Sequence, residues 1–94
     1  MLTVTKPALD RLSRRLVRKE AADGMALRFT RRDGGWTLRL DQESAGDTAF
    51  THDGRKVLLL DEVVSKAMEN MTLDIRKSAQ RSGLRLYRNK RRRN

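Results

Sequence analysis

The 94-residue chain contains no cysteine, and that absence excludes more chemistry than any residue present suggests. Without thiols there is no disulfide, no thiol nucleophile, no zinc finger and no cluster held by thiolates of this chain. Histidine is almost as scarce, with His52 alone, and aromatic residues make up only 4%. No apolar run approaches the ~18–20 residues of a membrane span, and the amino terminus shows no secretory hydrophobic stretch. The expectation is a soluble, cytoplasmic protein without a membrane span. Its length suits a single domain, which at this size buries roughly 60–65% of its unfolded surface. Hydrophobic residues (37%) barely match charged ones (36%), but they are patterned well enough to fold.

Negative charge is missing from one end. From Arg76 to Asn94 there are nine basic residues and no acidic one, whereas residues 1–75 hold 13 basic against 12 acidic. The net charge of +10 is therefore concentrated in the carboxyl-terminal fifth. Arg76, Arg85, Arg88, Lys90, Arg91, Arg92 and Arg93 are the candidate polyanion-binding residues. Residues 89–94 have nothing apolar to bury and repel one another, so they read as a disordered basic tail after a domain spanning 1–88. Such a tail can hold phosphate backbones, acidic proteins or an anionic membrane, or it can simply be solvated.

Before the tail, the hydrophobic period changes several times. Leu2 and Val4 share one side of a short extended lead-in. Thr5 is a good N-cap, Pro7 fits a first helical turn, and Leu9, Leu12 and Leu16 recur at helical spacing. This helix is expected to reach about Ala22 and stop at Gly24, with Arg11, Arg14, Arg15, Arg18 and Lys19 on its outer surface. A period of two follows in Met25-Leu27-Phe29 and, after the Asp33-Gly34-Gly35 turn, in Trp36-Leu38-Leu40. Thr48–Thr51 and Lys56–Leu60 are two further strands around His52-Asp53-Gly54, and the run Val57–Leu60 suits a central strand. A short helix is expected from Asp61 to Glu69 with Val63, Val64, Ala67 and Met68 inward. Met71-Leu73-Ile75 and Leu84-Leu86 complete the strands. If these alternates point inward, Arg28, Arg39, Arg76 and Arg85 project outward, with Tyr87 beside Arg85. Neighbouring strands would then make a basic face, of which Arg28 and Arg39 are the candidate strand-face residues.

Catalytic constellations are lacking. His52 beside Asp53 is one arm of a metal site at most, and such a pair is commonplace in turns. Asp61 and Glu62 read as helix-start residues rather than an acid–base pair. Ser65, Ser78 and Ser82 have no histidine arranged to activate them. The glycines are isolated turn residues rather than a phosphate-cradling loop. Trp36 is in phase with Leu38 and Leu40, which points to core or interface. No enzymatic activity and no cofactor are expected.

Several stretches, in order, resemble one family. They are Leu2-Thr3-Val4-Thr5 before an amphipathic helix, Leu38-Arg39-Leu40-Asp41 leading to Gly46-Asp47-Thr48-Ala49-Phe50, and His52-Asp53-Gly54-Arg55-Lys56-Val57. Met71-Thr72-Leu73-Asp74-Ile75 and Ser82-Gly83-Leu84-Arg85-Leu86 follow. Together, over residues 2–88, they resemble the HesB-like A-type iron–sulfur carriers. The resemblance implies an α+β fold: a compact domain with an amphipathic N-terminal helix and a short second helix packed on a twisted, sandwich-like set of about six strands. It also implies three cluster cysteines, one just after the glycine-rich turn and a Cys-Gly-Cys pair near the carboxyl terminus. Here Trp36 directly follows Gly34-Gly35, the stretch from that turn to Leu38 is several residues shorter than in the family, and Asn89–Asn94 replaces the pair. Ferric sulfide clusters need soft anionic thiolates, so no cluster-binding residue carries over.

Two functions are compatible with these features. One is a non-catalytic, cysteine-less HesB-like binding or accessory protein related to iron–sulfur assembly, with an unknown protein partner and, as the resemblance implies, pairing into a homodimer. The other is a nucleic-acid-binding module using the C-terminal Arg/Lys segment.

Overall fold

The computed structural model describes residues 1–77 and 82–89. Its elements are β1 (Thr3–Val4), α1 (Lys6–Arg18), β2 (Met25–Arg32), β3 (Gly35–Gln42), β4 (Thr48–His52), β5 (Arg55–Leu60), α2 (Glu62–Ala67), β6 (Met71–Lys77) and β7 (Ser82–Arg88). Thr5 caps α1 as its residue type predicts: its hydroxyl accepts from the Ala8 N–H at 3.4 Å, and Pro7 occupies the first turn. Ala8, Leu12 and Leu16 form the fully buried row.

The helix stops earlier than the expected Ala22. Glu20 adopts a left-handed backbone (φ 52°), and the Ala21 N–H then reaches back to the Leu16 carbonyl at 3.1 Å. Glu20 N–H meets the Val17 carbonyl at 3.0 Å, which completes a Schellman turn with glutamate in the position glycine usually takes.

Asp33-Gly34 and Asp53-Gly54 both have positive φ at both residues, as two-residue primed hairpin turns require. They join β2 to β3 and β4 to β5. The resulting four-stranded sheet runs β3-β2-β5-β4, with β2 and β5 parallel at its centre (Leu27 opposite Leu58) and a bulge in β4 at Phe50/Thr51. β1, β6 and β7 form a separate three-stranded sheet in the order β1-β6-β7. Among the described residues the expected single set of about six strands is seven strands in two sheets, because the lead-in pairs with β6 through Thr3 and Val4. Leu27, Phe29, Leu58 and Leu60 from one sheet and Leu73 from the other meet Leu12 and Leu16 in one core.

α2 departs from its expected length and face. Six residues long, it buries Val64 and leaves Val63 78% exposed, with Ala67 also at the surface. So short a helix presents one inward row rather than a wide stripe, and the buried Met68 lies just beyond it as the cap. No helix among the described residues is long and apolar enough to cross a membrane.

Ala26, Arg28 and Leu59 lie on the other face of the four-stranded sheet, yet all three are buried. The reason is topological. β3 and β4 occupy opposite edges, so residues 43–47 must cross the sheet to join them. Arg28 clasps both ends of that crossing. Its Nε donates to Asp41 at 2.8 Å, its two terminal nitrogens donate to Asp47 at 2.8 and 2.6 Å, and one of them also donates to the Gln42 carbonyl at 3.1 Å. Ser44 N–H donates to the same Asp47 carboxylate at 2.7 Å. Hydrogen bonds from Arg28 foremost, and from Ser44, hold the Asp47 carboxyl below the usual carboxylate range.

Replacing Asp47 with Ala should destabilise the fold by ~3–5 kcal/mol, because it leaves a buried guanidinium half-paired. A depressed carboxyl pKa contributes stability that is complete above about pH 4–5 and is lost as the pH falls through the folded value. Urea unfolding of the native chain should therefore weaken on acidification in that window, and D47A should lose part of the dependence. Glu20→Gly should do the opposite, raising Tm by roughly 2–8 °C in a thermal scan as left-handed strain of about 1 kcal/mol is relieved.

Candidate functional site

The β6–β7 hairpin carries the described part of the basic end. Its register sets Asp74 opposite Arg85, Thr72 opposite Tyr87 and Arg76 opposite Gly83, so these residues share one face. Arg76 and Arg85 are exposed, and the Arg85 guanidinium lies 5.1 Å from the centroid of the half-buried Tyr87 ring, within cation–π range. Asp74 interrupts this positive surface. The Thr5 hydroxyl donates to its Oδ1 at 2.7 Å, as does the Ile75 N–H at 2.7 Å, and these bonds with the nearby Arg85 hold its carboxyl below the ordinary range.

Arg88 lies apart from that pair. It opposes Met71 on the other face and lines a shallow groove of about 200 Å³ with Lys66 and Asn70. The strand's exit is fixed there: the Asn89 N–H donates to the Asn70 carbonyl at 2.7 Å, and the Thr72 hydroxyl bonds the Asn89 side chain. The Met1 ammonium reaches the adjacent Glu69 carbonyl at 3.4 Å. Lys90, Arg91, Arg92 and Arg93, with Arg81 and Ser78, lie outside the described residues.

The basic strand face expected from Arg28, Arg39, Arg76 and Arg85 does not assemble. Arg28 and Arg39 belong to one sheet and Arg76 and Arg85 to the other. Arg28 is only 8% exposed and its charge is taken up by Asp41 and Asp47, so it is an anchor for the crossing loop rather than a surface cation. Arg39 is exposed on the edge strand. Asp61, expected as the first residue of the helix, is instead the cap of α2, accepting from the Val64 N–H at 2.8 Å. Trp36 is half-buried, edge-on to Phe29 at 6.3 Å, with the Arg31 guanidinium 5.3 Å from its ring centroid.

With this geometry in view, two solved structures are similar over nearly the whole chain. One is Escherichia coli SufA, involved in biosynthesis of iron–sulfur clusters, with 26% identity, 93% of this chain and 84% of that chain covered, and a TM-score of 0.67. The other is IscA with its 2Fe–2S cluster, with 14% identity, 94% and 85% covered, and a TM-score of 0.58. The fold is of the SufA and IscA kind. No family model matches the chain, and no curated protein does.

This chain's side chains do not fit a cluster like the one IscA holds. It has no thiolate, and Trp36, overlain by Arg31, follows the turn after which the resemblance implies a cysteine. His52 is half-buried, its Nε2 3.4 Å from Asp53 and 3.9 Å from Asp10. Among the described residues no three His, Asp or Glu side chains converge to hold a metal ion. Thr5→Ala should remove the main cause of the lowered Asp74 pKa. An NMR titration of the Asp74 carboxyl should then show it rising toward the unperturbed ~3.9.

Proposed function

We propose that this chain is a non-catalytic binding or accessory protein, related to iron–sulfur cluster assembly by its fold but unable to carry a cluster on its own side chains. The observation that supports this reading is the conjunction of a SufA-like fold over 93% of the chain with a complete lack of cysteine. Folding here rests on leucine packing, hairpin turns and the Arg28 clasp, none of which needs a metal. A protein of this shape can therefore keep contacts with assembly or recipient proteins while losing the cargo. Pairing into a homodimer and residence in the cytoplasm belong to the same proposal.

A second reading, binding of nucleic acid by the carboxyl-terminal segment, is favoured by one observation. All the charge from Arg76 onward is positive, and Arg76 and Arg85 are exposed on one face of the hairpin, Arg85 against the Tyr87 ring.

Anaerobic purification followed by reconstitution with iron and sulfide tests the first reading. The expected result is iron well below one atom per chain and no visible cluster absorption after desalting. Stoichiometric iron retained by the chain would overturn it.

A further inference from the structure

Among the described residues four strands form the edges of the two sheets, and three of them are guarded. An open edge offers unpaired N–H and C=O groups to any extended chain, and folded proteins blunt such edges with short strands, bulges, proline or charge. β1 is only two residues long, β4 is interrupted by its bulge at Phe50/Thr51, and β7 carries Arg85 and Arg88. β3 is the exception. It runs eight residues from Gly35 to Gln42 without proline, lysine or bulge, in unbroken register with β2. Its one cation, Arg39, stands opposite Arg28 on the face away from the leucine core.

The other face of β3 is apolar up to the edge. Leu27 and Phe29 of β2 are 0% and 5% exposed, but Leu40 and Leu38 opposite them, and Trp36 beyond, are only half-buried. The same three residues hold the free backbone groups. The two-residue turn at Asp33-Gly34 closes on Arg32 and Gly35, so Gly35, Thr37, Arg39 and Asp41 exchange hydrogen bonds with β2. Trp36, Leu38 and Leu40 alternate with them and direct their N–H and C=O groups to the open side.

We propose that β3 is a dimer seam, pairing antiparallel with β3 of a second copy about a two-fold axis through Leu38. The proposal rests on the homodimer reading above and names its surface. A two-fold axis normal to the sheet keeps each residue on its own face, so it must pass through a residue position rather than between two. An axis through Arg39 sets two arginines directly opposite each other, which is unfavourable. Axes through Thr37 or Leu40 shorten the ladder by running past Gly35 or Gln42, the ends of the strand. Through Leu38, Leu38 meets its own copy and Trp36 meets Leu40 twice, with about six backbone hydrogen bonds. Two half-covered apolar rows become one continuous row, and Arg39 stands opposite uncharged Thr37. That self-complementarity selects a second copy over an unrelated strand.

The chain has no cysteine and a single tryptophan, which supply two probes of the full-length protein. Residues directly opposite in a hydrogen-bonded pair have Cα atoms about 5.5 Å apart, within the span of a disulfide. L38C should therefore give a disulfide-linked dimer on mild oxidation. L84C, at a half-buried leucine of the edge strand β7, should stay unlinked. Light scattering of the native chain should give twice 10.9 kDa at high concentration, falling on dilution, and Trp36 emission should move to the red over the same range. L38K sets two ammonium groups opposite each other and should be monomeric with native circular dichroism. A native chain monomeric at every concentration overturns both the seam and the homodimer reading. The seam alone is overturned by a dimer in which L38C and L84C cross-link alike, by Trp36 emission that stays constant as the dimer dissociates, or by a folded L38K that remains dimeric.

Discussion

One ion-pair cluster holds together two parts of the chain that the sheet topology sets apart. Because β3 and β4 lie at opposite edges, their five-residue link has to run across the sheet, over strands whose outward residues would otherwise be wet. Arg28 makes that route possible by placing three donors under the link, two of them on the Asp47 carboxylate. Asp47 has only 2% of its side chain exposed, so neither charge can be left without the other. The consequence is a second buried layer, small and polar-centred, on the far side of the sheet from the leucine core. Ala26 and Leu59 are buried on that same face.

That arrangement separates what the fold needs from what a cluster carrier needs. The apolar row of α1, the primed turns at Asp33-Gly34 and Asp53-Gly54, and the Arg28 clasp supply the architecture from ordinary side chains. Similarity to SufA over most of the chain therefore coexists with the absence of cysteine.

Most of the strands, both hairpin turns and the cap at Thr5 were legible in the sequence, because each rests on local rules of period, turn type or side-chain capping. What escaped was non-local. Arg28 reads as an outward residue by alternation, and nothing in its own strand says that a link will cover it. A signal did exist: the unbroken run Val57–Leu60 implies a strand dry on both faces, so the strand beside it has to be covered as well. The end of α1 escaped for a different reason, since a glutamate at a left-handed position carries no compositional mark. The candidate basic face failed because alternation tells which side of a sheet a residue takes, but not whether two strands share a sheet. Arg76 and Arg85 do share a face because they sit in one hairpin, with Asp74 opposite Arg85.

The turn at Glu69–Asn70 has a further meaning for the molecule's design. Met1 is tied to one of its carbonyls and Asn89 to the other, so the first residue and the exit of the last strand meet at neighbouring peptide groups. A short linker from Asn89 to Met1 would therefore leave both sheets undisturbed. New ends opened at the exposed Asp33-Gly34 hairpin would then give a circular permutant with the same core and a different folding order.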